Sequence, residues 1–120
     1  MSLRSLSFNK RVEAATGIVN KHTSGLKIDH DRSHKHNSFF KQRTHRISIS
    51  RDGKTIGAVE VSPFLFGKPK VQFSSEEHRP LAEKIAKDIQ SEGHYSSPVS
   101  VTRSRLLDIR SYTGIVILQL

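Results

Sequence analysis

The chain has no cysteine, no tryptophan and a single methionine, and only 7% of its residues are aromatic. Without cysteine there is no disulfide and no thiolate-held metal, so nothing in the composition points to an oxidising compartment. Long apolar runs are also missing. The longest, Ile115 to Leu118, is strand-sized and far short of the ~20 residues of a membrane-spanning helix. Hydrophobic residues make up 34% of the chain, below the roughly 45–50% of an average globular domain, a class that also counts Gly. Part of the chain is therefore expected to contribute nothing to a core.

Catalytic signatures are absent too. Ser, His and Asp are all present, but no G-x-S-x-G elbow, phosphate-binding loop, H-E-x-x-H or G-x-G-x-x-G occurs. Residues 1–21 are rich in Ser and Arg with Glu13 as their only acid, a superficial match to a mitochondrial targeting peptide. Against that, they show no clear apolar face before Val12, and their removal would take a predicted helix with them. The expected location is cytoplasmic, with no signal peptide or transmembrane segment.

What is present is positive charge. The net charge is +9 over 120 residues, a length that suits one domain. Residues 1–54 hold 12 Lys or Arg against 4 Asp or Glu, whereas residues 55–120 hold 8 against 7. Five of the seven histidines (His22, His30, His34, His36 and His45) also lie in the first part. A basic half joined to a nearly neutral half is the footprint of a surface for a polyanion or an acidic protein.

Hydrophobic periodicity supplies the elements. Residues 1–8 read as an arm or edge strand. Val12, Ala15, Ile18 and Val19 recur at helical spacing, predicting a helix from Asn9, its N-cap, to about His22. Residues 23–43 show no periodicity and hold four large apolar residues, so they read as a long loop. Thr44–Arg51 and Lys54–Val61 flank Asp52-Gly53, the signal for a two-residue type I′ hairpin. That turn sets Ile49 opposite Ile56, Ile47 opposite Ala58 and His45 opposite Glu60 on the core side. Phe64-Leu65-Phe66 reads as an apolar connection and Lys70–Phe73 as a short strand. Ser74 and Glu77 have capping-box spacing ahead of a helix whose stripe is Leu81, Ala82, Ile85, Ala86 and Ile89. Val99–Thr102 and Tyr112–Leu120 read as the last strands, the second buried on both faces. The expected fold is α+β: about five strands in an antiparallel or mixed sheet, in the order α-β-β-β-α-β-β, with helices on one face.

The candidate site follows from the charge. Lys27, Arg32, Lys35, Lys41, Arg43 and Arg46 are interleaved with histidines and with Phe39 and Phe40. Lys and Arg neutralise phosphates and release counterions without regard to sequence. An aromatic pair can stack on unpaired bases, at about 1–3 kcal/mol per base. Arg103 and Arg105, on alternating strand positions, would extend the basic face. The expected function is non-enzymatic nucleic-acid binding by a basic mobile arm spanning about 21–46, with no cofactor.

Two other readings compete. The chain could instead dock on the acidic surface of a larger assembly, as an inhibitor, adaptor or minor structural component of a virus or mobile element. Or His30, His34 and His36, beside Asp29 and Asp31, could hold a metal that activates water for phosphodiester cleavage. Their spacing matches no standard zinc pattern.

Overall fold

The computed structural model describes residues 7–32, 44–62, 69–93, 95 and 98–104. It is an α+β fold in the order α-β-β-β-β-α-β: α1 (Phe8–His22), β1 (Lys27–Arg32), β2 (His45–Arg51), β3 (Lys54–Val61), β4 (Lys70–Phe73), α2 (Arg79–Gly93) and β5 (Ser100–Arg103). The sheet order is β1-β2-β3-β4-β5. The first three pairings are antiparallel and β4–β5 is parallel, so the sheet is mixed. A parallel neighbour needs a crossover, and α2 supplies it. The expected strand at Tyr112–Leu120 and the connection at Phe64–Phe66 lie outside the described residues.

Helix α1 starts two residues earlier than its apolar stripe suggests. Ser7, not Asn9, is the N-cap, and its hydroxyl accepts from the Lys10 N–H at 3.4 Å. Phe8 is thus the first helical residue rather than the end of an arm. Ala15, Ile18 and Val19 are buried, with Lys21 and His22 in the last turn where the helix dipole favours cations. Arg11 is buried among them at 3% exposure. Burial pushes its pKa down, and its guanidinium donates to the Ser62 carbonyl at 2.9 Å.

Part of the expected loop is a strand. Gly25, at φ +84°, turns the chain from α1 into β1, which pairs along its length with β2 from Lys27↔Ser50 to Arg32↔His45. In Lys27-Ile28-Asp29-His30-Asp31-Arg32 a single aliphatic residue carries the alternation. Among the described strands β1 stands at the edge of the sheet, where charges of this kind discourage pairing with another chain.

The hairpin turn forms as expected, with Asp52 at φ 53° and Gly53 at φ 79°. The register beyond it does not. A bulge after the Ser50↔Thr55 pair leaves Ile56 without a partner on β2, so Ile49 faces Gly57, Ile47 faces Val59 and Arg46 faces Glu60. The one-residue shift brings Val59 and Val61 to the core side, where Ala58 and Glu60 were expected. Ile47, Ile49, Ile56, Val59, Val61, Val71 and Phe73 then join Ala15, Ile18, Val19, Ala82, Ile85, Ala86 and Ile89 in one buried cluster. Both helices therefore cover the same face.

The expected capping box is not made. Ser75 precedes a single 3-10 turn (Glu76–His78) without a side-chain cap bond, while Ser74 is buried and its N–H donates to the Ile56 carbonyl at 3.0 Å. The helix proper begins at Arg79, with Pro80 in its first turn, where a missing N–H costs nothing. Asp88 of α2 accepts from His22 (3.0 Å) and Lys21 (3.3 Å), tying the two helices together.

Candidate functional site

The strand registers define two ends of the sheet. One end carries Arg32, His45, Val61, Lys70 and Ser100; the other carries Lys27, Ser50, Thr55, Phe73 and Arg103. They also define two faces. Ile28, His30, His45, Ile47, Ile49, Val59, Val61, Val71, Phe73, Val101 and Arg103 share the side covered by the helices. Asp29, Asp31, Arg46, Ser48, Ala58, Glu60, Lys70, Gln72 and Thr102 share the side that neither described helix covers, here the open side.

The described candidate residues do not form one patch on this frame. Lys27 sits at the far end, exposed and 4.0 Å from Asp29. Arg103 is also at the far end, on the opposite face, 4.0 Å from Glu76. Arg32 and Arg46 are at the first end, in register with His45 and Glu60 respectively. Arg46 is held by Glu60 at 2.9 Å, with side-chain exposures of only 14% and 23%. It stands in a row of alternating sign across the open face, Asp31–Arg46–Glu60–Lys70. Lys35, Phe39, Phe40, Lys41, Arg43 and Arg105 lie outside the described residues, as do His34 and His36.

The far end is balanced in charge. Arg79 donates to both carboxylate oxygens of Glu76 at 2.7 and 3.1 Å. This bidentate contact holds the Glu76 carboxyl below its ordinary pKa. The Arg79 guanidinium also stacks 4.7 Å over the Phe73 ring. A recess of about 530 Å³ opens on the open face, lined among others by Lys27, Asp29, Asp31, Ser50, Arg51 and Asp52. Three carboxylates there against two cations make it a poor phosphate cradle.

The first end differs. The chain enters α1 there, since Arg11 reaches Ser62 just beyond β3, and the first turn of α1 contains no acid. The connection 33–43 leaves from Arg32 and returns to Thr44, and the connection 63–68 leaves from Ser62 and returns to Pro69. Residues 1–6, 33–43 and 63–68 contain Arg4, Lys35, Lys41, Arg43 and Lys68 and no Asp or Glu. Three acid-free stretches thus attach at one end, beside the exposed Lys10 and Lys70. Sequence reasoning singled out one of them. Lys68, Lys70 and Lys10 gave no signal, because only the sheet order brings their segments together.

Of the metal candidates, His30 is described and its partner is unexpected. Its Nδ1 lies 2.9 Å from Nε2 of His45, with ring centroids 5.1 Å apart. His45, expected opposite Glu60, is displaced from it by the bulge. Among the described residues no three His, Cys, Asp or Glu form a metal-sized group, and no helix is long and apolar enough to cross a membrane. No protein-family model matches the chain, and neither a curated protein nor a solved structure shows significant similarity to it.

Proposed function

We propose that this chain binds nucleic acid without catalysis, through the end of the sheet from which the 33–43 connection departs. The observation that carries this reading is the convergence of three acid-free, Lys- and Arg-bearing stretches on one end of the fold. Away from that end Lys21 is paired with Asp88 and Arg79 with Glu76, and at the end itself Arg46 is already held by Glu60, so it is not part of the surplus. A cation that already holds a carboxylate gains less from a phosphate, so the end with surplus charge is the one that attracts a polyanion. Lys35, Lys41 and Arg43 supply the phosphate contacts in this reading, and Phe39 and Phe40 supply stacking on unpaired bases. Arg32 stands at the root of the connection.

The test is fluorescence anisotropy with mixed-sequence single-stranded DNA and RNA at 50 and 200 mM salt. Affinity falls steeply with salt, and the triple change Lys35→Ala, Lys41→Ala, Arg43→Ala reduces the slope of log K against log salt by about 2. No binding at low salt, or binding indifferent to salt, removes this reading. A stoichiometric protein complex that survives nuclease treatment would then point to an acidic protein partner.

A further inference from the structure

We infer that His30 and His45 form a two-imidazole clip for a first-row divalent cation of the zinc, nickel or copper type. The residues come from adjacent strands: His30 is in register with Ile47 and His45 with Arg32, one step apart on the same face of the β1–β2 ladder. Nδ1 of His30 and Nε2 of His45 approach to 2.9 Å, with the ring planes inclined at 48°. His30 is exposed and His45 half-buried, so an ion and its water can reach them.

In the cation-free chain one ring N–H donates to the lone pair of the other ring, which turns both nitrogens toward a common point. Two imidazole nitrogens each about 2.0–2.1 Å from a tetrahedral ion lie about 3.3 Å apart. Exchanging the shared proton for a cation therefore asks the nitrogens to separate by only about 0.4 Å. Side-chain torsions can supply that while the paired strands hold the backbone, so the clip is largely organised in advance. Imidazole is a ligand that suits zinc, copper and nickel, whereas calcium and magnesium prefer oxygen.

With two protein ligands among the described residues, water can complete the coordination, which makes the site open and exchangeable rather than a structural staple. It requires no nucleic acid, and its test is independent of the polyanion reading.

The experiment uses the full chain in a non-chelating buffer. Zinc chloride is titrated by calorimetry, and nickel is added while the histidine ring signals are followed by NMR. Saturable zinc binding is expected, with the His30 and His45 signals broadened first. His30→Ala and His45→Ala should each weaken zinc at least about tenfold, since each removes one of two metal–nitrogen bonds; His22→Ala and His78→Ala should leave it unchanged. The NMR arm uses the unaltered chain and decides the matter even if a variant loses its fold. The clip is overturned if zinc does not bind saturably, if either ring substitution leaves its affinity intact, or if other histidines broaden first.

Discussion

Arg46 and Glu60 face each other across β2 and β3, with Nη2 of the arginine 2.9 Å from Oε1 of the glutamate and both side chains mostly shielded. The pair exists because the Ile56 bulge moves Glu60 one step along the ladder, away from His45. A half-buried ion pair is lost unequally when only one side is removed, because the survivor remains desolvated without its partner. Glu60→Gln is therefore expected to lower stability by about 1–3 kcal/mol. The reversed pair, Arg46→Glu with Glu60→Arg, should recover part of that loss. Urea unfolding of Glu60→Gln, and of Arg46→Glu, Glu60→Arg and their double as a mutant cycle, checks it. A coupling energy near zero would mean that the contact does nothing for the fold.

Asp88 gives the fold a pH dependence of definite sign. Its hydrogen bond from His22, and after it that from Lys21, holds its carboxyl below the ordinary value. The unfolded chain, with Asp88 at its usual pKa, thus takes up the proton first as pH falls. The stabilisation is complete above the ordinary carboxylate range and is lost as pH drops through it and then through the lower, folded value. Asp88→Asn should flatten the acid limb of stability against pH and leave the limb above neutrality nearly parallel to that of the parent. Chemical denaturation midpoints between pH 3 and pH 8 would show it. An acid limb unchanged in Asp88→Asn would assign the dependence to other carboxylates.

The sequence was most informative where local chemistry dictates geometry. Asp52-Gly53 announces its turn because few other pairs accept positive φ at both positions, and the apolar stripe of α2 announces its buried face. It was least informative where a decision depends on distant neighbours. Thr55-Ile56-Gly57-Ala58-Val59 offers no alternation by which to place a bulge. The cue in hindsight is Gly57, where a Cβ would come within 3.1 Å of the Gln72 carbonyl. β1 reads as loop in the sequence because one isoleucine is a thin signal for a strand whose pairing, among the described residues, comes from β2. The site suffered in the same way. Composition revealed the basic first half, but which cations already hold carboxylates is set by contacts such as Arg46–Glu60 and Arg103–Glu76, which depend on the register.

Two helical glycines make opposite predictions. Gly17 lies exposed in α1 with nothing within 4 Å of where a Cβ would stand. Alanine there should stabilise the fold by about 0.5–1 kcal/mol, through helix propensity and a less flexible unfolded chain. Gly93 closes α2 with the Tyr95 ring packed directly on its Cα, inside the space a methyl would need. The ring is anchored on the same side, since Gln90 donates to the Tyr95 carbonyl and Tyr95 belongs to the core cluster. Gly93→Ala is expected to cost about 1–3 kcal/mol, the usual penalty of overpacking. Thermal melts should move in opposite directions, and a higher melting temperature for Gly93→Ala would mean that Tyr95 can leave its place.

The placement of Arg103 decides how local the proposed nucleic-acid contact is. β5 is four strand spacings, or about 19 Å, from β1, and Arg103 lies at the end of the sheet away from Arg32. At physiological salt the screening length is about 8 Å, so a charge at that separation adds little to a phosphate held at the first end. Arg103 is also within 4.0 Å of Glu76. Arg103→Ala is therefore expected to change affinity for single-stranded nucleic acid by less than about twofold at 0.15 M salt. Lys70→Ala, at the first end and exposed, should weaken binding severalfold and equally for all sequences, as the loss of one phosphate contact does. Anisotropy titrations of the two variants side by side make the comparison. If Arg103→Ala is the more damaging, the binding surface lies across β5 and the end-on arrangement is wrong.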